Sequence, residues 1–274
     1  MVSKERLRQI ANETIEISES GKYIIPGSDK QISFIQETTT KLYRANQLRV
    51  IDDRLSRIKR DSTCVCYVEE RDTISEILRE TDKSSNLRIG VLVFASAHSP
   101  GGGFRNGSMA QEESIAYCSN LYACQTDFIG QAYYDTHETV RNPIYTNTML
   151  VSPITIFRDS NFNLIEYPVR VTAITSPAVN RGIGISKKMN PNTLDQEMYI
   201  RMRYILDLFV ESGCEDLILG AYGCGVFKNN PITIANNWYK LLFNENMGRF
   251  FNKVTFAVIG SEFIKAFKTT FRGF

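Results

Sequence analysis

Two hydrophobic periods alternate along most of this chain, 3.6 for helix and 2 for strand. In residues 3–20, Leu7, Ile10, Ala11 and Ile15 recur at helical spacing. Residues 21–62 are mixed and charged, and the run from Asp52 to Arg60 reads as a solvated face or loop. A regular alternation begins after it. Residues 63–69 read as a strand, and residues 72–80 as a helix with Asp72 as its N-cap. Residues 88–95 carry Ile89-Gly90-Val91-Leu92-Val93-Phe94, an apolar run of the kind buried on both faces. A glycine-rich loop leads into a helix over 110–124. Residues 125–147 are polar and Tyr-rich, and read as loop with short helical pieces. Strands follow at 149–158 and 167–176. A helix spans 195–212, with Met198, Met202, Ile205, Leu206 and Phe209 on one stripe. Residues 216–221 form another apolar strand. A second glycine-rich loop runs to Pro231, which opens a helix to 243. A last strand at 254–259 and a last helix at 262–271 close the chain.

This alternation predicts an α/β three-layer sandwich with a mixed sheet. Ligands in such folds bind where loops leave the carboxyl ends of strands, and both glycine-rich loops stand at such places. The length of 274 residues allows one or two domains, and no internal repeat or linker interrupts it. With 43% hydrophobic and 11% aromatic residues the chain has ample apolar area to bury, which excludes disorder as a whole. A net charge of +2 implies no general attraction to nucleic acid or to an acidic membrane. An anionic ligand must then be held by a local device such as backbone N–H groups. No apolar run approaches the ~20 residues of a membrane span. The charged start of the chain, with no apolar core after it, is not a secretory signal. Six cysteines in 274 residues are too sparse for a disulfide scaffold, and Cys64-Val65-Cys66 lacks the two-residue gap of a zinc knuckle. Only His98 and His137 are available as imidazole ligands, so no metal site is expected. The thiols read as structural residues in a reducing compartment.

The first loop is Ser99-Pro100-Gly101-Gly102-Gly103-Phe104, continuing to Gln111-Glu112-Glu113. Three successive glycines let backbone approach a ligand and can aim several N–H groups at one anion. Gln111-Glu112-Glu113 opens the next helix. Its two carboxylates are about 100° apart, so they cannot share one capping role. One can face a ligand while the other packs or orients it. The second loop, Gly220-Ala221-Tyr222-Gly223-Cys224-Gly225-Val226-Phe227, lies between a strand and a helix, the position of a phosphate cradle. It is not a P-loop, because Val226 stands where lysine is required, and Lys228 rules out the dinucleotide fingerprint. Phe227 beside it suits a sugar or base pocket.

The glycine triplet, its spacer and Gln-Glu-Glu together resemble the signature of poly(ADP-ribose) glycohydrolases. Phe94-Ala95-Ser96-Ala97 before the glycines, and the Gly223-Cys224-Gly225-Val226-Phe227 segment after them, look like the microbial type. The resemblance implies a macrodomain-like catalytic domain over 63–274, with residues 1–62 as a helical extension packed on it. It implies hydrolysis of ribose–ribose O-glycosidic bonds in poly(ADP-ribose), releasing ADP-ribose, with no cofactor and no metal. By motif position Glu113 is the catalytic candidate and Glu112 positions the ribose hydroxyls. Gly101, Gly102, Gly103 and Gln111, with Gly223, Cys224, Gly225, Val226 and Phe227, match the substrate-binding loops. Poly(ADP-ribose) or ADP-ribosylated protein is the expected partner, with no membrane and no specific nucleic acid. The expected location is cytoplasmic, or nuclear in a eukaryote. The alternatives are a macrodomain that only binds ADP-ribose, and one that removes mono-ADP-ribose from protein or nucleic acid. A pure reader would need neither Glu112 nor Glu113.

Overall fold

A computed structural model describes residues 2–35, 39–82, 87–140 and 142–272. Helix α1 spans Lys4–Ser20. Ser3 caps it, its side chain accepting from the Arg6 N–H, and Gly21 ends it at φ 66°. Strands β1 (Lys22–Ile24) and β2 (Gln31–Ser33) form a separate small hairpin, and β3 (Lys41–Tyr43) joins the main sheet. Helix α2, Ala45–Leu55, buries Leu48, Ile51 and Leu55 against the body of the protein. The start of the charged run, expected to be a solvated face or loop, is therefore the solvated face of a helix. Its acidic and basic residues lie outward, and the three apolar positions between them form the stripe.

The core alternation follows: β4 (Val65–Glu69), α3 (Thr73–Thr81), β5 (Ile89–Phe94), α4 (Gln111–Cys118), α5 (Leu121–Thr126) and α6 (Phe128–Glu138). The single helix expected over 110–124 is broken. Ser119 bridges to Ile156, and the Asn120 carboxamide oxygen accepts the Thr155 N–H at 2.7 Å, so a neighbouring strand outcompetes helix continuation. The Tyr-rich segment expected to be mostly loop instead contains the 11-residue α6, which buries Tyr133, Tyr134 and His137. The remaining elements are β6 (Met149–Arg158), β7 (Leu164–Ser176), α7 (Arg181–Ser186), α8 (Pro191–Glu211), β8 (Asp216–Leu219), α9 (Pro231–Tyr239), β9 (Lys253–Ala257) and α10 (Ser261–Thr270).

The seven-stranded sheet runs β3-β6-β7-β5-β8-β9-β4. The β3–β6 and β6–β7 pairs are antiparallel, and β7–β5, β5–β8, β8–β9 and β9–β4 are parallel. This is the mixed α/β sheet expected. Strand alternation feeds two cores. Leu92, Leu217, Phe256 and Met149 point to one face, where Leu48, Leu206, Phe209, Trp238 and Ile264 cover them. Val91, Val93, Ile218 and Ala173 point to the other, under Leu7, Ile10, Ile74 and Ile115. Each buried Val, Leu, Ile, Phe or Met among them contributes about 1.5–3 kcal/mol. Helices on both faces complete three layers. Among the described residues no helix is long and apolar enough to cross a membrane. All six cysteines are buried free thiols.

Candidate active site

Strands β5, β8 and β9 are parallel neighbours, so the loops leaving their carboxyl ends gather on one edge. A cavity of about 690 Å³ opens there. One wall comes from Phe94, Ala110, Gln111 and Ser114; the other is the second glycine loop, through Gly223, Gly225, Val226 and Phe227. Ile74, Phe162 and Phe263 give it an apolar lining. Val226 is 80% exposed and stands at its rim.

The second loop is shaped for an anion. Gly223 has φ 72°, and a Cβ there would meet Ala178 Cβ at 2.5 Å and Asn229 Nδ2 at 2.6 Å. The loop is closed on itself: Cys224 N–H donates to Ala221 O, Lys228 N–H to Gly225 O and Asn229 N–H to Gly223 O. The Asn229 carboxamide ties it to Val179 O at 2.8 Å. The N–H groups of Gly225, Val226 and Phe227 take no partner among the described residues. Three consecutive free amides form a nest suited to phosphate oxygens. A Cβ on Gly225 would touch no protein atom. The Cys224 side chain is buried under the loop, with Sγ near Tyr222 O. Neither that side chain nor its committed N–H is offered to the cavity.

The first loop is built differently from the sequence expectation. Its amides do not converge on an anion. Gly101 N–H donates to Gln125 Oε1 at 2.6 Å, Gly102 N–H to Ser99 O and Gly103 N–H to Glu113 Oε1 at 2.8 Å. The glycines are needed for conformation and for room: Gly101 and Gly102 have φ 62° and 60°, and a Cβ on Gly102 would lie 2.6 Å from Glu113 Oε1 and 3.0 Å from Glu112 Oε2. The triplet therefore fits around two carboxylates.

Both carboxylates are fixed. Glu113, 9% exposed, also accepts the Ala110 N–H through Oε2 at 3.0 Å. Glu112, 3% exposed, accepts the Ser96 N–H through Oε2 at 2.7 Å and the Gln125 amide through Oε1 at 3.0 Å. Burial pushes Glu112 up from 4.5 to about 8; these two bonds oppose the rise and Glu113 adds to it. Neither carboxylate lines the large cavity itself; they sit behind its wall at the start of α4. Gln111 spends its carboxamide on β5, accepting the Phe94 N–H at 2.9 Å and donating to Leu92 O at 2.8 Å. It latches α4 to the strand, and only part of it faces the cavity. Tyr117 adds a second latch, its hydroxyl 2.9 Å from Phe104 O and 3.0 Å from Ser108 O. Helix α1 supports this loop from outside: Thr14 Oγ1 donates to Tyr117 O, and the Lys4 carbonyl leaves no room for a Cβ on Gly107.

Sequence reasoning missed Ser96, Gln125 and Asn229. Ser96 and Gln125 meet Glu112 from other elements, and Asn229 ties its own loop to Val179, so no spacing in the sequence signals these contacts. Among the described residues no group of three or more His, Cys, Asp or Glu side chains is placed to hold a metal ion.

The family model of the microbial-type PARG catalytic domain, PARG being poly(ADP-ribose) glycohydrolase, matches residues 11–159. No curated protein sequence matches the chain. The crystal structure of the poly(ADP-ribose) glycohydrolase from Thermomonospora curvata is 33% identical, with a TM-score of 0.90 over 97% of this chain and 99% of that one. The same protein bound to the inhibitor ADP-HPD gives a TM-score of 0.87 at the same identity and coverage. The poly(ADP-ribose) glycohydrolase from Deinococcus radiodurans in complex with ADP-ribose is 33% identical, with a TM-score of 0.78 over 85% of this chain and 94% of that one. With the family model spanning the first glycine loop and both carboxylates, and these structures covering nearly the whole fold, the chain belongs to the microbial-type poly(ADP-ribose) glycohydrolases.

Proposed function

We propose that this protein hydrolyses the ribose–ribose O-glycosidic bonds of poly(ADP-ribose) and releases ADP-ribose. The observation that carries the reading is the juxtaposition of two buried carboxyls, packed around a glycine triplet, with a cavity whose far wall presents three unpartnered amides. The chain-end ADP-ribose unit fills the cavity. Its diphosphate takes the amides of Gly225, Val226 and Phe227, and its distal ribose passes Phe227 toward Glu113. The adenine takes the apolar end near Ile74, Phe162 and Phe263.

Glycoside hydrolysis needs a proton for the leaving oxygen and stabilisation of an oxocarbenium-like transition state. Glu113 supplies the proton to the 2′-oxygen of the next ribose as the C1″–O2′ bond breaks. Its carboxylate then takes a proton from the water that adds to C1″, which restores the starting state. Glu112, raised to about 8, is mostly a neutral acid at pH 7 and donates a hydrogen bond to a ribose hydroxyl. Gln111 and Gly101 to Gly103 position the two acids, and Cys224 supports the second loop from beneath. The substrate diphosphate lies close enough to the reacting ribose to oppose the developing positive charge. The six buried thiols support a reducing compartment, cytoplasmic or, in a eukaryote, nuclear.

The test is incubation with automodified polymerase and, separately, with mono-ADP-ribosylated protein, each with EDTA and with Mg²⁺ added back. The expected result is free ADP-ribose from the polymer, undiminished by EDTA, with the protein-proximal unit retained. Two results would contradict the reading. One is release from the mono-ADP-ribosylated protein alone; the other is activity lost to EDTA and restored by Mg²⁺.

A further inference from the structure

Tyr145 has φ 61°, a left-handed conformation that is strained for a bulky side chain. Three groups fix it. Asn142 Oδ1 accepts the N–H groups of Ile144 and Tyr145, at 2.8 and 3.2 Å. Arg201, fully buried, donates through Nη2 to Ile144 O at 2.7 Å and Thr146 O at 3.1 Å, and through Nε to Asn147 Oδ1 at 2.9 Å. His137, also fully buried, accepts the Thr146 N–H through Nδ1 at 3.3 Å. The guanidinium also donates through Nη1 to Pro177 O at 2.8 Å, and so, with the buried imidazole, it ties this short segment to the end of β7 and holds the ring in place.

The Tyr145 ring stands between two others. Its centroid is 6.1 Å from that of Phe227, on the phosphate loop, and 5.5 Å from that of His98. His98 follows two residues after Ser96, whose N–H holds Glu112. The three rings therefore run from the phosphate loop to the segment beside the carboxylates. On the far side lies a second cleft of about 390 Å³, lined by His98, Glu138, Asn142, Tyr145, Ile183 and Lys187. It shares no lining residue with the large cavity. Its volume is within the roughly 300–1,000 Å³ range of small-ligand sites. Lys187, Lys188 and Lys228 are exposed in this region and make no ion pair among the described residues.

We propose that this cleft binds the next nucleotide unit of the polymer, the adenosine phosphate attached to the departing oxygen. The proposal rests on the polymer-hydrolase reading above. Cleavage at a chain end leaves the rest of the polymer on the leaving-group side, next to the carboxylates, where His98 begins the arch. The base stacks on Tyr145 and His98, a contact any aromatic face can make. Glu138 accepts from ribose hydroxyls, and Lys187 meets the phosphates. The cleft thereby distinguishes polymer from free ADP-ribose, which fills only the first cavity.

The test measures affinity, so it does not depend on turnover. In a Glu113→Gln background, calorimetry compares ADP-ribose with two ADP-ribose units joined ribose to ribose. The dimer is expected to bind more tightly than the monomer. Adding His98→Ala and Lys187→Ala, both at exposed positions, should lower dimer affinity roughly 5- to 150-fold and leave ADP-ribose affinity unchanged. Equal affinity for dimer and monomer would overturn the proposal, as would a dimer affinity untouched by the two substitutions. An equal loss for both ligands would also overturn it, because the arch would then belong to the first cavity. Failure of the unsubstituted enzyme to hydrolyse polymer would instead sink the functional reading, and is scored separately.

Discussion

Glu112 and Glu113 are adjacent in sequence yet do different work, because the backbone turns them toward different partners. Glu112 meets the β5 exit and Gln125; Glu113 meets Gly103 and Ala110. The sequence carried the pair and their glycines, since motif spacing is local. It did not carry which acid is held by which donor, because Ser96 and Gln125 arrive through the fold. It also suggested that the glycine amides would meet the anion, whereas the structure spends them on Gln125, Ser99 and Glu113. The difference between the two acids has a measurable consequence. A carboxyl raised from 4.5 in the unfolded chain to about 8 in the fold costs nothing below pH ~4.5. Between pH ~4.5 and ~8 the unfolded chain loses this proton while the folded protein keeps it, so stability falls through that window and stays low above it. Each pH unit is worth about 1.36 kcal/mol, a few kcal/mol in all. Glu112→Gln removes the titration and adds a pH-independent cost, because an amide cannot accept from both Ser96 and Gln125. Melting temperatures at pH 5 and pH 9 should therefore show the variant gaining on the parent by on the order of 5–10 °C. A difference between variant and parent that does not change with pH would contradict a buried, protonated Glu112.

At the scale of elements, the long apolar strand β5, the α8 stripe and the two strand–loop–helix junctions were legible because each satisfies one period over many residues. Helix α6 was not. Its buried positions are Tyr133, Tyr134 and His137, which read as polar in sequence, and their burial depends on neighbours such as Leu150. The break between α4 and α5 was also invisible, since Thr155 and Ile156 on β6 cause it. The second glycine loop separates folding from binding in two glycines, Gly223 and Gly225, with one residue between them. Gly223→Val forces a β-branched residue to φ 72° against Ala178 and Asn229, and should lower the melting temperature clearly. Gly225→Val meets no protein atom and should leave the melting temperature unchanged. It should still weaken ADP-ribose binding by at least about tenfold, since hydrogen bonds to charged groups are worth about 1.5–3 kcal/mol each. Calorimetry and thermal melts on both variants check this. Unchanged affinity in Gly225→Val would reduce the loop to a turn.

Across the whole molecule, the layered α/β architecture followed from the alternation of periods, and strand order followed only from the structure. That order places β5 between β7 and β8, with β9 beyond, and so brings residues near 100 and near 225 to one edge. A sequence with the same two loops on distant strands would have no site. The N-terminal segment also enters at this scale: β3 extends the sheet, α2 packs on α8, and α1 presses on the loop that carries the glycines. The proposed mechanism rests on one carboxyl, and its most direct measurement is the turnover of Glu113→Gln on poly(ADP-ribose), with ADP-ribose affinity measured alongside. Removing the proton-transfer group should cost at least the roughly 10²–10⁴-fold of general acid–base catalysis, because one residue serves both proton transfers, while ADP-ribose remains bound. Retention of more than about a tenth of the parent turnover, well short of that range, would contradict the assignment of Glu113 as the acid and base.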